Sequence, residues 1–236
     1  MRLFCTALSA FTLCAVAMPA GAQEVVVTAN RARGGGYMDT SAPSPALALR
    51  RTADFAVLQV KVTGDTRDPA KRREEIYAMI RGAIVLAQKS GVELATGETI
   101  VEPLTLANYQ SLILTDDDDR DDTQAASFLI KSALSQGGDP KAALERIARF
   151  VREVPAVGRA EMKTEGEMTL SVVNPEQYRG QIVALVAADA TGSAGKFGDD
   201  YRVQVQGLDR RIQWGRASLS EVYLYLPVSY VILPKN

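Results

Sequence analysis

Asp54-Phe55-Ala56-Val57-Leu58-Gln59-Val60-Lys61-Val62-Thr63-Gly64-Asp65-Thr66-Arg67-Asp68-Pro69 is the stretch that decides the fold. Ala56, Leu58, Val60 and Val62 alternate with Val57, Gln59, Lys61 and Thr63, the two-residue period of a strand with one face more polar. Gly64-Asp65 turns the chain. Asp68 then offers a side-chain cap and Pro69 stands at a first helical position, where its missing N–H costs nothing. Beyond it Ile76, Ile80, Ala83, Ile84 and Ala87 follow the i, i+4, i+7, i+8, i+11 spacing of one buried helical stripe. Gly91 ends the helix, as a residue tolerant of positive φ should.

The same grammar recurs outward from this unit. Val92 to Leu104 reads as extended, interrupted at Gly97 and closed near Pro103. A strand from about Ala125 to Leu134 places Phe128, Ile130 and Leu134 on one face. Gly137-Gly138-Asp139-Pro140 repeats the turn and cap. The spacing then predicts a helix burying Leu144, Ile147, Ala148 and Val151 and ending before Pro155. In the third unit Met162, Gly166, Met168, Leu170 and Val172 face in, while Lys163, Glu165, Glu167 and Thr169 face out. Asn174-Pro175 is read as the cap of a helix carrying Tyr178, Ile182, Leu185 and Val186. Tyr201, Val203 and Val205 form a further strand, and Leu219 to Leu233 the last one. Strands with one apolar and one charged face suit an α+β fold, a mainly antiparallel sheet with helices packed on one face. A doubly wound parallel sheet would need near-continuous apolar strands, which Lys163, Glu165 and Glu167 contradict.

The chain has 236 residues, 27 Lys plus Arg against 28 Asp plus Glu, two cysteines and no histidine. Without imidazole there is no Ser-His-Asp or Cys-His catalysis and no His-ligated metal. A pI near 5.7 argues against nucleic acid as partner. Arg2, the apolar run Leu3–Met18, Pro19 and the small residues Ala20-Gly21-Ala22 read as a signal peptide over 1–22, cleaved after Ala22. The apolar run is shorter than the roughly 20 residues of a spanning helix, so no transmembrane span is expected in the mature chain. Cys5 and Cys14 both lie in that segment, which leaves the mature chain without thiols. A periplasmic address follows. Residues 23–52, with Gly34-Gly35-Gly36, Pro43 and Pro45, have linker composition and are expected to form a flexible arm; residues 53–236 are expected to form one domain.

The polar motifs do not complete any catalytic pattern. Starting at Asp116, the acidic run to Asp122 lacks the glycine at position six and the glutamate at position twelve of a calcium loop, and reads as a solvated hairpin. Ala190-Thr-Gly-Ser-Ala-Gly-Lys-Phe197 misses a phosphate-binding loop at both ends and follows a helix instead of a strand. The one Ser-x-x-Lys of the mature chain, Ser193-Ala-Gly-Lys196, falls inside that same glycine-rich helix exit and is not read as a nucleophile–base dyad. A hydrolase using a carboxylate pair is the remaining enzymatic alternative. Trp214, Tyr223 and Tyr225 offer an aromatic surface, or else two buried faces. No cofactor, metal site or catalytic residue is expected.

Two resemblances add to this reading. Asp54-Phe55-Ala56 entering a strand that ends at Gly64, a helix closing in Lys89-Ser90-Gly91-Val92, a strand leading to Glu102-Pro103, and the Ala-rich helix Ile182 to Ala194 running into Gly195-Lys196-Phe197-Gly198 are similar to the SIMPL-domain family of periplasmic proteins. That resemblance spans the chain from about Thr52 to its end, and Asp189 and Gly192 depart from the family's usual helix. It implies an α+β fold, a periplasmic address and a tendency to assemble into rings, with no catalytic residues. The expected role is therefore non-enzymatic: contacts with itself as a homo-oligomer or with other envelope proteins, in envelope maintenance or stress tolerance. The second resemblance is local. Glu24, Val25, Val26, Val27, Thr28 and Ala29, followed by Asn30-Arg31, resemble the TonB box of outer-membrane transporters, an extended peptide that adds a strand to a partner's sheet. It implies a soluble accessory of TonB-linked uptake, with residues 24–29 as the partner-binding segment.

Overall fold

A computed structural model describes residues 24–27, 45–97, 100–117, 120–134 and 139–235. The expected signal segment 1–22 lies outside them. In chain order the elements are β1 (Glu24–Val27), β2 (Leu49–Thr52), β3 (Phe55–Gly64), α1 (Pro69–Ser90), β4 (Glu93–Thr96), β5 (Ile100–Pro103), β6 (Thr115–Asp117) and β7 (Arg120–Ala133). There follow α2 (Pro140–Glu153), β8 (Glu161–Val173), α3 (Arg179–Gly195), β9 (Tyr201–Gln206), β10 (Gln213–Arg216), β11 (Glu221–Tyr225) and β12 (Ser229–Pro234). The fold is α+β, and every strand pairing is antiparallel.

Turn chemistry places the first two helices where the sequence asks for them. Asp68 accepts the Lys71 N–H and Asp139 the Lys141 N–H, each with a proline at the first helical position. Gly91, at φ 65°, closes α1 in the left-handed region. The third unit differs. Asn174, at φ 45°, makes no side-chain cap, and a 3-10 turn over Pro175–Tyr178 separates it from α3.

β3 is the spine of the main sheet. It pairs with β7 along its whole length and with β8 on the other edge. β8 continues to β1, β1 to β5, β5 to β4, and β4 returns to β7, so six strands close into a ring. β6 extends the other end of β7. Opposite Leu58, β8 carries two extra residues around Gly166, whose φ is 72°. An insertion of two preserves the in–out alternation that an insertion of one would reverse.

The even face of β3 (Ala56, Leu58, Val60, Val62) is buried. Most of it packs with Phe128 and Ile130 of β7 against Ile76, Ile80, Ala83, Ile84 and Ala87 of α1, and against Ile147 and Phe150 of α2. The other end of that face joins Leu170 and Val172 to Ile182 of α3 and to Val222 and Leu224 of the small β10–β11–β2 sheet. Burial on this scale, about 25 cal/mol for each Å² of apolar surface, is the main favourable term in folding.

Several expectations are corrected. α2 buries Ala143, Ile147 and Phe150, leaving Leu144, Ala148 and Val151 half-buried; the helix is turned so that the larger Phe150 fills the core. Leu185 is exposed, and the α3 stripe is Ile182, Val186, Ala190 and Ala194. Gly166 is exposed at the bulge. The last strand is two, β11 and β12, in different sheets, with Leu226-Pro227-Val228 between them. Leu49–Thr52 pairs with β11 and Glu24–Val27 sits inside the ring, so ordered strands occupy both ends of the expected arm. Residues 28–44 of that arm, with Thr28 and Ala29, lie outside the described residues.

Replacing the α1 cap by Asp68→Ala should cost about 1 kcal/mol, and Asp68→Asn only a small part of that, read from urea unfolding midpoints at unchanged slope.

Candidate functional site

Lys131 and the segment beginning at Glu24 form the most unusual chemical arrangement in the described residues. Lys131 lies on the face of β7 opposite Phe128 and Ile130, the polar face by alternation. Its cross-strand neighbours are Val57 on β3 and Glu93 on β4. Ring closure covers that face here, and the Lys131 side chain is only 6% exposed. The ammonium group pairs with the Glu24 carboxylate, itself 12% exposed, and with Glu93 Oε2 at 3.1 Å. It also lies 4.2 Å from the Phe55 ring centroid, a cation–π contact. Ser171 Oγ, fully buried, donates to Glu24 Oε1 at 2.7 Å. A buried ammonium is tolerated only when paired and hydrogen-bonded, and β1 supplies the inner of its two counter-charges.

Glu24 is thus the one residue of the TonB-box-like segment whose role the fold makes explicit. Glu24 to Val27 register with Val173 to Leu170 of β8, and Glu24 and Val25 with Val101 and Ile100 of β5. Both edges of β1 are occupied. Strand addition to a foreign sheet therefore needs β1 to leave its place.

Beside Lys131 and Glu93 lies a groove of about 580 Å³ between the end of α1 and the chain after β5. Ile84, Ala87, Leu94, Leu104 and Leu106 make it mainly apolar. With Lys131 already neutralised, such a groove is suited to apolar side chains and offers no free acid or base.

A second polar network joins the start of α1 to the turn before β8. Arg159 donates to both oxygens of Asp65, at 2.7 and 2.8 Å. Glu75 accepts from Thr66 Oγ1 at 2.5 Å and from the Arg159 N–H at 3.1 Å. Gly158, at φ 57°, lets the carboxylate approach: a Cβ there would lie 2.2 Å from the Glu75 carboxyl. The hydrogen bond from Arg159 holds the Asp65 carboxyl below the usual range, and the Thr66 hydroxyl, then the Arg159 N–H, do the same for Glu75. A general acid near neutral pH needs the opposite shift. Two further pairs of carboxylates among the described residues share a cation: Glu24 and Glu93 share Lys131, and Asp65 and Asp122 share Arg120.

The remaining motifs are placed as follows. The acidic run forms a hairpin between β6 and β7, with Asp118 and Asp119 outside the described residues. Asp116 accepts from Gln124, and no three potential ligands converge among the described residues. Ala190–Gly195 belongs to α3, followed by Lys196 and Phe197 at its exit. Trp214 packs half-buried on the second core. Tyr223 lies across Gly215, its cross-strand partner, with the hydroxyl oxygen 2.2 Å from where a Cβ would be. Tyr225 donates to Gln213 at 2.7 Å, and burial raises its phenol pKa.

No protein-family model and no curated protein matches the chain. Among solved structures, an uncharacterized conserved protein from Listeria innocua aligns over 78% of this chain and 92% of that one, at 15% identity and a TM-score of 0.15.

Two outcomes are expected. Glu24→Ala, which strands Lys131 and leaves Ser171 without its acceptor, should cost about 3 kcal/mol; the double variant Glu24→Leu/Lys131→Met should recover most of it in denaturant unfolding. Because the Asp65 and Glu75 carboxyls are depressed, their stabilisation is present above their unfolded values, roughly 4, and is lost as pH falls through the folded ones. Thermal midpoints taken downward from pH 7 should therefore fall more steeply for the wild type than for Asp65→Asn/Glu75→Gln.

Proposed function

We propose that this chain is a non-enzymatic, SIMPL-like periplasmic protein that works through protein contacts, first of all with copies of itself, in envelope maintenance. The observation that carries the reading is the β9/β12 ribbon. These two strands pair only with each other among the described residues, which leaves one free edge on each. Phe197 beside the ribbon is 62% exposed and packs at a tilt on Tyr201, and Val231 on β12 is 52% exposed. Tyr230 ties the ribbon to α3 through Asp189 at 2.9 Å and Ser193 at 3.2 Å. A two-stranded ribbon is marginal alone, and an exposed edge with apolar side chains recruits another strand. A ribbon offered by every copy suits self-assembly.

The sequence supports the same reading through its export signal and its family resemblance. No helix among the described residues is long and apolar enough to cross a membrane. Engagement of TonB through residues 24–29 demands that β1 be released from both neighbours, whereas ribbon pairing demands no rearrangement. A hydrolase would need a free acid–base pair where the approaching carboxylates instead share cations.

Light scattering on the mature chain, residues 23–236, should show a mass that rises over about a hundredfold increase in concentration. Val231→Lys, with an unchanged circular dichroism spectrum, should shift that mass toward the monomer, since a charge on the edge opposes strand addition. A wild-type monomer throughout the range sinks the proposal.

A further inference from the structure

We propose that the slot between β8 and β5 is a strand-acceptor site, and that its occupant within an assembly is the Glu24–Val27 segment of a second copy of this chain. The inference deepens the self-assembly reading and rests on it. Both walls of the slot stand without β1: β8 is held by β3, and β5 by β4. The strand that fills the slot is four residues long and is joined to β2 by residues 28–48 rather than by a tight turn. At ~3.3–3.6 Å per residue that connection reaches as far as roughly 70 Å, enough to enter a neighbouring molecule.

Among the described residues, β1 meets partners far along the chain: the ladders to β8 and β5, a contact with β10, the Lys131 ammonium and the Ser171 hydroxyl. None depends on which copy supplies the strand. Closure within a chain and exchange between chains therefore differ chiefly in effective concentration, of millimolar order for such a tether. In copies already joined by their ribbons, a neighbour's segment is present at a comparable concentration, so exchange costs little.

The slot also states what it accepts. With β1 absent, Lys131 keeps the Phe55 ring and, as counter-charge among the described residues, only Glu93, which is 60% exposed, and Ser171 loses its acceptor. The entering strand must bring a carboxylate at its first position. In this chain Glu24, followed by three β-branched residues suited to extended backbone, meets that demand.

Two measurements on the intact mature chain test this. First, the labelled peptide Gln23–Arg31 is co-refolded with the wild-type protein and followed by anisotropy. Half-occupancy is expected near ~1 mM, with at least a tenfold loss for the peptide carrying Glu24→Gln. No binding well above that concentration, or equal binding of both peptides, overturns the site. Second, Val25→Cys and Ile100→Cys, positions in register across β1 and β5, are placed in separate copies, co-refolded and oxidised. A disulfide-linked pair containing one of each is expected, against same-variant controls. Assembly by light scattering without that mixed pair overturns exchange and leaves the self-assembly reading standing. A mixed pair from Val231→Lys copies that no longer assemble supports exchange and removes the ribbon from it.

Discussion

A lysine inside a ring of strands needs a counter-charge that solvent does not supply, and this constraint organises the structure around Lys131. Its inner carboxylate comes from Glu24, 107 residues earlier in the chain. That pairing fixes which way β1 faces and which end of β8 it meets. β1 in turn bridges β8 to β5, and only through that bridge does the β4–β5 hairpin complete the ring. Buried ion pairs seldom add net stability over apolar replacements, and their attested value lies in fixing register. Here the register they fix belongs to a strand of four residues.

The rest of the molecule is built on conventional burial. α1 and α2 cover one face of the long β3–β7–β8 region, and α3 with the β10–β11–β2 layer covers the remainder of it. The polar network of Asp65, Glu75 and Arg159 ties the first helix to the turn before β8. β8 is also paired with β3, and β5 with β4, independently of their ladders to β1. The β9/β12 ribbon keeps a free edge on each strand among the described residues, while Asp65, Glu24 and Glu93 are each paired with a cation.

Much of this was legible in the sequence. The alternation from Ala56 to Val62, the stripe from Ile76 to Ala87 and the Asp-Pro pairs at 68–69 and 139–140 located two strand–helix units correctly, because each depends on interactions within a few residues. The reading failed where a distant partner decided. Which face of α2 is buried depends on the space that Phe150 fills. The break at Pro227 separates β11 from β12 because each finds a different partner sheet. Alternation with Phe128 and Ile130 puts Lys131 on the outward face of its strand, and nothing near it in the chain announces that this face is roofed over. Glu24 was singled out for its short β-branched context, but its partner lay beyond any local pattern.

By itself the sequence determined the fold class, the caps of the first two helices and the lack of imidazole, which narrows the catalytic chemistry open to this protein. Those properties follow from composition and from spacings of two to four residues. Tertiary structure alone decided that six strands close a ring, that Lys131 is inside it and that Glu24 answers it. The physical reason is that strand pairing and charge burial are set by which segments meet in space, and residues a hundred positions apart carry no mark of each other until the chain has folded.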